Sequence, residues 1–244
     1  MITLYIGNIG SGKTLTAVRE MATNQDITYH TNINTTLKNC VPLTWDKIIL
    51  TEVTGTKNKR DGTVEEIKEH KLNSEYWLKA KKPLSIVLDE AHNVLDARRS
   101  TSKKSIIMNN FGSLIRKFMG DDEKSEIILI TQLSRRLDIV WKEMAHEIRY
   151  FTCYYNIICS KCSATWPSDS DNPIRYKRCL LCGSLDLKKI DHVIEVKLFA
   201  GLDAYYDWHF EKKNSFYNNY AIKDVNNYFK YYNTKQIENL LSDL

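Results

Sequence analysis

Long hydrophobic runs are missing from this sequence. The longest apolar runs, such as residues 127–130 and 85–88, fall far short of the roughly 18 residues that a membrane-spanning helix requires. The N-terminal residues also lack the basic leader of a secretory signal peptide. We therefore expect a soluble, cytoplasmic protein with no transmembrane segment of its own.

A strong excess of one charge is also missing, as are internal repeats and low-complexity tracts. The chain has 35 basic and 30 acidic residues and a formal net charge of +5. This balance is compatible with an acidic polymer as a partner but does not require one. With 244 residues, the chain is long enough for one hydrophobic core and a small appendage, and too short for two full motor domains.

Cysteine is scarce, yet four of the six cysteines are regularly spaced. Cys159 and Cys162 form one Cys-x-x-Cys pair, Cys179 and Cys182 form a second, and 16 residues separate the two pairs. This spacing is typical of a zinc ribbon, in which two tight turns present four thiolates to a structural Zn²⁺. Disulfide bonds are the alternative, but they are rare in a reducing cytoplasm. We therefore expect zinc at these four cysteines.

Strand-like and helix-like segments alternate over the first 155 residues. Compact apolar runs predict strands, and apolar residues at helical spacing predict helices. The predicted strands are residues 2–6, 27–31, 85–88, 126–130 and 147–155, and the predicted helices are residues 13–22, 106–119 and 137–145. Such alternation is typical of a mostly parallel sheet covered on both faces. Towards the C-terminus we expect strands at residues 193–200 and 205–210 and a closing helix at residues 234–241.

A P-loop pattern lies between the first strand and the first helix. It consists of Gly7, Asn8, Ile9, Gly10, Ser11, Gly12, Lys13 and Thr14. The glycines let backbone N–H groups converge on phosphates at a helix N-terminus, where the helix dipole favours negative charge. Lys13 is expected to contact the β- and γ-phosphates, and the Thr14 hydroxyl to bind Mg²⁺. The pattern and its strand–loop–helix context predict an ATP site.

Two acidic residues follow the apolar run at residues 85–88. Asp89 is expected to hold Mg²⁺ as the Walker B carboxylate, and Glu90 beside it is the candidate for polarising the attacking water. Gln132, at the end of the next predicted strand, is a candidate for sensing the γ-phosphate or orienting water. The alternatives are a solvated acidic pair and a polar loop residue. Together with the P-loop, these residues predict an ATPase.

Arginine matters because an arginine supplied in trans stabilises transition-state charge and couples neighbouring subunits. The candidates are Arg98, Arg99, Arg116, Arg135 and Arg136, and we favour Arg99. Basic residues within the ranges 98–104 and 175–178 are instead candidates for contacting nucleic-acid phosphates. Solvated surface positions are the alternative in both cases.

Several of these segments together resemble the zonula occludens toxin-like (Zot) ATPase domain. The resemblance rests on the P-loop, residues 86–92 (Ile-Val-Leu-Asp-Glu-Ala-His), Arg98-Arg99, Arg116-Lys117, residues 128–132 (Ile-Leu-Ile-Thr-Gln), Leu137-Asp138 and the late Tyr232-Asn233-Thr234. That family is similar to the FtsK–HerA group of motors, which includes viral genome-packaging ATPases.

The resemblance implies a RecA-like (ASCE) P-loop NTPase core that assembles as a hexamer and translocates or packages DNA, or drives virion assembly. It implies Glu90 as the catalytic base, Gln132 as the sensor at a strand tip, and Arg99 or Arg116 as the arginine that acts in trans. The implied partners are DNA and a capsid or membrane-assembly protein, and the implied location, if the protein is viral, is the host cytoplasm or the virion. The chain departs from the family by lacking a membrane helix, by having Lys117 where the family has histidine, and by its zinc ribbon.

Two other functions stay open. Residues 89–92 also spell the Asp-Glu-Ala-His box of DEAH helicases, although those enzymes resemble two RecA-like domains in tandem. A nucleotide-dependent scaffold or switch with little turnover is the second. In all cases the fold class is α/β, and we expect an ATPase core at residues 1–155, a zinc ribbon at 156–190 and a C-terminal segment at 191–244 that packs on the core.

Overall fold

The structure, a computed structural model, describes residues 1–58, 63–99, 103–119, 124–132, 134–174 and 177–232. They form a mixed α/β fold around one large sheet. The strands are β1 (Ile2–Ile6), β2 (Thr28–Thr31), β3 (Cys40–Pro42), β4 (Ile49–Asn58), β5 (Val64–Leu72), β6 (Leu84–Leu88), β7 (Ile127–Thr131), β8 (Glu147–Cys159), β9 (Thr165–Asp169), β10 (Leu187–Phe199) and β11 (Asn218–Ile222). The α-helices are α1 (Lys13–Thr23), α2 (Trp45–Ile48), α3 (Ser74–Lys79), α4 (Lys103–Met119), α5 (Ile139–Glu143) and α6 (Gly201–His209). Short 3₁₀ helices occupy Ala91–Asn93, Ala97–Arg99, Ser134–Arg136 and Val225–Tyr231.

The central sheet is mostly parallel, as predicted. Its order is β11-β10-β8-β1-β7-β6-β2-β3, with β9 paired to β8. The strands from β3 to β8 in this order pair in parallel, whereas β9, β10 and β11 join in antiparallel pairs. Strands β4 and β5 form a separate, largely exposed hairpin. Because the inner strands are parallel, their carboxyl ends meet at one edge of the sheet.

Both faces of the sheet are buried. Every residue of β1, β6 and β7 is buried, as expected for short apolar strands in a parallel sheet. Successive side chains point to opposite faces, so Leu4 and Ile86 join one core cluster while Tyr5 and Val87 join the other. Helix α4 packs against the first cluster and α1 against the second. The predicted coverage of both faces is therefore confirmed.

The strand expected at residues 205–210 is wrong, because residues 205–209 belong to α6 and Phe210 directly follows that helix. Gly201 has a φ of +85°, a conformation that glycine adopts readily and that turns the chain from β10 into the helix. Tyr205 is buried, and Trp208, one turn further on, packs against the same core. Aromatic residues favour strands only where they fit a half-buried sheet. Here the spacing of Tyr205 and Trp208 lets both side chains pack against the core from one face of a helix.

The C-terminal segment packs against the core as far as it is described. The 3₁₀ helix Val225–Tyr231 lies on α1, where Arg19 Nε is 3.3 Å from Asp224 Oδ1. The Thr36 N–H donates a hydrogen bond to the Tyr231 carbonyl at 3.1 Å. The helix expected at residues 234–241 lies outside the described residues.

Strand β8 continues through residue 155 and β10 through residue 190, the two positions where we predicted boundaries. The division into three units stays a prediction. Among the described residues, no helix combines the length and the apolar character needed to span a membrane.

Candidate functional site

Residues 7–12 connect β1 to α1 at the carboxyl edge of the sheet, and the P-loop pattern continues into the first turn of α1 with Lys13 and Thr14. A Cβ atom on Gly7 would lie 2.6 Å from the Phe151 carbonyl oxygen of β8, so the close approach of two backbones requires glycine there. Gly12 has a φ of +92°, and a Cβ on it would lie 2.2 Å from the Ile194 side chain of β10. Close packing against β8 and β10 therefore fixes the path of the loop.

Lys13 is curled into this loop and almost fully buried. Its Nζ donates hydrogen bonds to the carbonyl oxygens of Gly7 and Asn8, both at 2.9 Å, and to Ser11 Oγ at 3.2 Å. Burial lowers the pKa of Lys13 to about 8, although Asp89 and other nearby carboxylates act in the opposite direction. The ammonium group is thus held by loop carbonyls at the place where the P-loop pattern requires a phosphate ligand.

Thr14 and Asp89 converge from two different elements. The Thr14 hydroxyl, in the first turn of α1, donates to Asp89 Oδ2 at 2.9 Å, and Asp89 follows the end of β6. Burial raises the pKa of Asp89, while the bond from Thr14 lowers it. Hydroxyl and carboxylate oxygens are the hard ligands that Mg²⁺ prefers. These two side chains therefore fit the magnesium site predicted for them.

Asn32 holds the backbone of Asp89 in place, which sequence reasoning missed. Its Oδ1 accepts from the Asp89 N–H at 2.7 Å, and its Nδ2 donates to the Asp89 carbonyl at 2.9 Å. Asn32 directly follows β2, the strand that pairs with β6. A polar residue at the carboxyl end of a parallel strand is the signal that points to it.

Glu90 has a backbone φ of +49°, a left-handed conformation that is uncommon for a residue with a side chain and is found at functional sites. Its N–H donates to Asp89 Oδ1 at 2.9 Å. Its carboxylate accepts from Gln132 Nε2 at 3.0 Å and lies 3.4 Å from His92 Nδ1. The end of β6 and the end of β7 therefore aim Glu90 jointly.

His92 is a second residue that sequence reasoning did not assign to the site. It is buried, and its Nδ1 is 3.1 Å from Thr131 Oγ1 as well as 3.4 Å from Glu90 Oε2. Burial lowers the pKa of His92, and Arg136 lowers it further. A neutral imidazole is expected beside the Glu90 carboxylate at neutral pH, where it limits the positions that this carboxylate can take.

The five arginine candidates fall into three groups. Arg135 lies exposed in the 3₁₀ helix Ser134–Arg136. Arg98 and Arg136 both bind the buried carboxylate of Asp96, at 2.8 Å and 2.9 Å. The bond from Arg98 in particular holds the pKa of Asp96 well below its usual range. Arg99 ends a 3₁₀ helix and Arg116 lies in α4, but their side chains are outside the described part of the chain. The predicted role of Arg99 or Arg116 in trans stays a prediction.

The four spaced cysteines come together at the far end of β8 and β10. All four Sγ atoms lie within 4.8 Å of one another, with Cys159 and Cys182 at 3.6 Å and Cys162 and Cys179 at 3.5 Å. Sulfur atoms about 2.3 Å from one tetrahedral ion are about 3.8 Å apart. The donor set and its spacing therefore fit a structural zinc ion.

The two cysteine turns have the same backbone construction. In the first, Ser163 donates its N–H to the Cys159 carbonyl, and in the second Gly183 donates to the Cys179 carbonyl, both at 2.9 Å. Ser163 and Gly183 also share a left-handed φ, +59° and +71°. Two equal turns that face each other are the geometry by which a ribbon presents four thiolates.

Basic and apolar side chains lie exposed beside the second cysteine turn. Lys177 and Arg178 precede Cys179 and are exposed, while Leu180 and Leu181 are 57% and 76% exposed. The remaining members of the two basic runs, from residue 99 to 104 and at residue 175, have side chains outside the described residues. Both charged and apolar side chains are therefore exposed beside the cysteine cluster.

Comparisons with known proteins agree with this arrangement of motifs. The sequence profile of the family described as zonular occludens toxin (Zot) matches residues 1–158. None of the curated proteins matches the chain.

Several solved structures are similar to the chain, and two of them illustrate the likeness. The N-terminal domain of zonular occludens toxin from Neisseria meningitidis is 16% identical, with a TM-score of 0.47, over 95% of this chain and 98% of that one. The genome packaging NTPase B204 from Sulfolobus turreted icosahedral virus 2, in complex with ATP-gammaS, is 14% identical, with a TM-score of 0.36, over 62% of this chain and 74% of that one.

Proposed function

The chain belongs to the Zot family, and we propose that it is an ATP-hydrolysing motor of the Zot/FtsK–HerA type that translocates or packages DNA or drives virion assembly. On this proposal the α/β fold is a RecA-like (ASCE) P-loop NTPase with a zinc ribbon attached. The motor works as a homo-oligomer, a hexamer, in the cytoplasm. Its partners are DNA and a capsid or membrane-assembly protein.

One observation supports the proposal above the others: Lys13, Thr14, Asp89, Glu90 and Gln132 meet at the carboxyl ends of β1, β6 and β7. These strands are consecutive in the sheet, in the order β1-β7-β6, and hydrogen bonds join Thr14 to Asp89 and Gln132 to Glu90. In open parallel sheets this edge is where ligands bind. The five side chains are also the types that phosphoryl transfer needs.

The side chains divide the work on ATP between them. Lys13 leaves its carbonyl partners and contacts the β- and γ-phosphates, while loop N–H groups bind the remaining phosphate oxygens. Thr14 and Asp89 would hold Mg²⁺, which would neutralise charge on the phosphates. Glu90 accepts hydrogen bonds from the attacking water, and Gln132 orients the Glu90 carboxylate. Positioning and charge stabilisation account for most catalysis of this kind.

The cysteine cluster supports a structural role for zinc. Four thiolates with no open position bind Zn²⁺ as a brace rather than as a catalyst. We expect one zinc per chain by elemental analysis and its loss in Cys159→Ser. Metal-free, folded wild-type protein would contradict this assignment.

Steady-state ATP hydrolysis with and without duplex DNA tests the main proposal. Glu90→Gln is the blank, because it keeps the size of the side chain and removes the carboxylate. We expect wild type to be stimulated by DNA and the variant to bind ATP without turning it over. Unchanged turnover in Glu90→Gln would refute Glu90 as the base.

A slow rate that DNA does not change would instead favour a nucleotide-dependent scaffold or switch. That alternative needs the P-loop but not the carboxylate beside Asp89. The joint aiming of Glu90 by Gln132 and by its own left-handed backbone favours the hydrolysing motor. A DEAH-type helicase-like ATPase is less favoured, because the described residues contain one sheet of this kind.

A further inference from the structure

Strands β1 and β9 pair with the same edge of β8, one after the other along its length. Strand β10 pairs with β8 along nearly its whole length, from Ile148 to Cys159. On the other edge, β1 pairs with residues 147–150 and β9 pairs with residues 154–158. Strand β9 runs antiparallel to β8, so its last residue, Asp169, points back towards the end of β1. Strands β8 and β9 form a hairpin with Cys159 at the end of β8 and Cys162 in the turn. The end of β9 therefore meets the beginning of the P-loop in the gap beside residues 151–153 of β8.

Asp171 fills this gap and touches the P-loop. Asn8 donates from Nδ2 to Asp171 Oδ1 at 3.2 Å, and the Thr152 hydroxyl of β8 donates to Asp171 Oδ2 at 3.0 Å. The Asp171 backbone is fixed as well, because its N–H donates to Asp169 Oδ1 at 2.8 Å. Asp171 is thus held by β8 and β9 and reaches across to the nucleotide loop.

The residue that Asp171 binds also holds the P-loop lysine. The Asn8 carbonyl accepts a hydrogen bond from Lys13 Nζ at 2.9 Å, and the Asp171 carboxylate acts on the same ammonium group electrostatically. Asn8 therefore stands between the phosphate ligand and the hairpin. The Asn8 side chain therefore gives Asp171 a direct contact with the loop that a bound nucleotide would order.

The opposite end of the hairpin is ordered by the cysteines. Cys162 lies in the turn between β8 and β9, and the five residues of β9 span about 17 Å at roughly 3.4 Å per residue. A metal bound by Cys159 and Cys162 fixes the start of β9, and the contact with Asn8 fixes the residues just beyond its end. One paired strand thus connects the two sites.

We propose that Asp171 is a positioning residue that couples the P-loop to the cysteine cluster, so that nucleotide and metal bind with positive cooperativity. Each ligand orders one end of the same segment, which lowers the cost of ordering that remains for the other ligand. The coupling is reciprocal, because it is a single free energy shared by the two sites. It rests on the proposed function, since it requires nucleotide at the P-loop and zinc at the cysteines.

Zinc release from the zinc-loaded protein tests the coupling. The protein is mixed with an excess of a chromophoric zinc chelator, with and without saturating Mg-ADP, and the rate of colour formation is followed. We expect nucleotide to slow zinc release by about fivefold or more, the lower end of typical coupling. In Asp171→Ala the two rates should be equal. Asp171→Asn should retain the nucleotide effect, because its amide oxygen still accepts from Asn8.

Asn156→Ala is the matched control, because it removes a hydrogen bond between β8 and Asp191 of the β10 bulge without touching the P-loop. It should retain the full nucleotide effect.

Equal release rates with and without Mg-ADP in wild type would overturn the proposal, as would faster release with Mg-ADP, or slowing that persists in Asp171→Ala. Failure of the proposed function is distinguishable, because it appears as absence of ADP binding or of zinc in the purified wild type.

Discussion

Gln132 donates a hydrogen bond from its side-chain amide to the Glu90 carboxylate at 3.0 Å. The two residues stand at the ends of neighbouring parallel strands, β7 and β6. A neutral amide therefore faces the carboxylate that we assign as the base.

Replacing the amide by a second carboxylate should lower turnover. In Gln132→Glu, the hydrogen bond to Glu90 is lost and two like charges face each other, so the Glu90 carboxylate is turned away from the attacking water. ATP turnover is then expected to fall at least tenfold, or about 1.4 kcal/mol, while the Kd for ADP changes little. Gln25→Glu, at an exposed position just after α1, is the control. Unchanged turnover in Gln132→Glu would contradict the role of Gln132 in orienting Glu90.

Removing Asn32 should weaken the magnesium site. Asn32→Ala leaves the N–H and carbonyl of Asp89 without their side-chain partners, which is expected to cost about 1–3 kcal/mol of stability. Because Asp89 is then less well fixed, the Mg²⁺ concentration that gives half-maximal ATP turnover should rise. Steady-state turnover titrated with Mg²⁺ measures this.

Asn39→Ala provides a matched control for Asn32. Its side-chain amide also donates to backbone carbonyls, those of Met21, Asn24 and Ile27, but away from Asp89. It should lower stability without changing the Mg²⁺ dependence. An equal change in Mg²⁺ dependence in both variants would contradict the role that we give Asn32.

The local parts of the site could be predicted from the sequence, and the parts that depend on topology could not. Gly7 to Thr14 lie in one strand–loop–helix unit, and Asp89 directly follows a buried apolar run, so their short-range pattern is sufficient. Asn32 and Asp171 act on those residues from 57 and 163 positions away. Their contacts exist because β2 pairs with β6 and because β9 meets β1 along β8. No local pattern contains those pairings.

The error at residues 205–210 has a different physical origin. Aromatic residues are enriched both in strands and in buried helix faces, and a short aromatic run does not distinguish them. The bend at Gly201 and the core available to Tyr205 decide for a helix. Tertiary packing overrides local propensity in this segment.

The buried Lys13 side chain should lower the stability of the nucleotide-free protein at pH values below the pKa that this lysine has in the folded state. Burial lowers this pKa from 10.5 to about 8, so between these values the unfolded chain binds a proton that the folded chain does not, and stability rises with pH. Relative to Lys13→Met, wild type should gain about 3 kcal/mol of unfolding free energy from pH 8 to pH 10.5. Chemical denaturation of both proteins across this range measures the difference, with Lys38→Met at an exposed position as the control. A constant difference would contradict the burial of the ammonium group.

If the proposed motor contacts DNA at the second cysteine turn, it should do so through the basic residues of this turn rather than through its leucines. Lys177 and Arg178 are exposed beside Leu180 and Leu181, and phosphate contacts gain free energy from released counterions, which makes the affinity dependent on salt. We expect Lys177→Glu with Arg178→Glu to lower duplex affinity and flatten its salt dependence, measured by fluorescence anisotropy at several salt concentrations. Leu180→Ser with Leu181→Ser should leave both unchanged, because leucine gains nothing from phosphate. If the two leucine replacements lowered duplex affinity and the two charge replacements did not, the proposed DNA contact through Lys177 and Arg178 would be wrong.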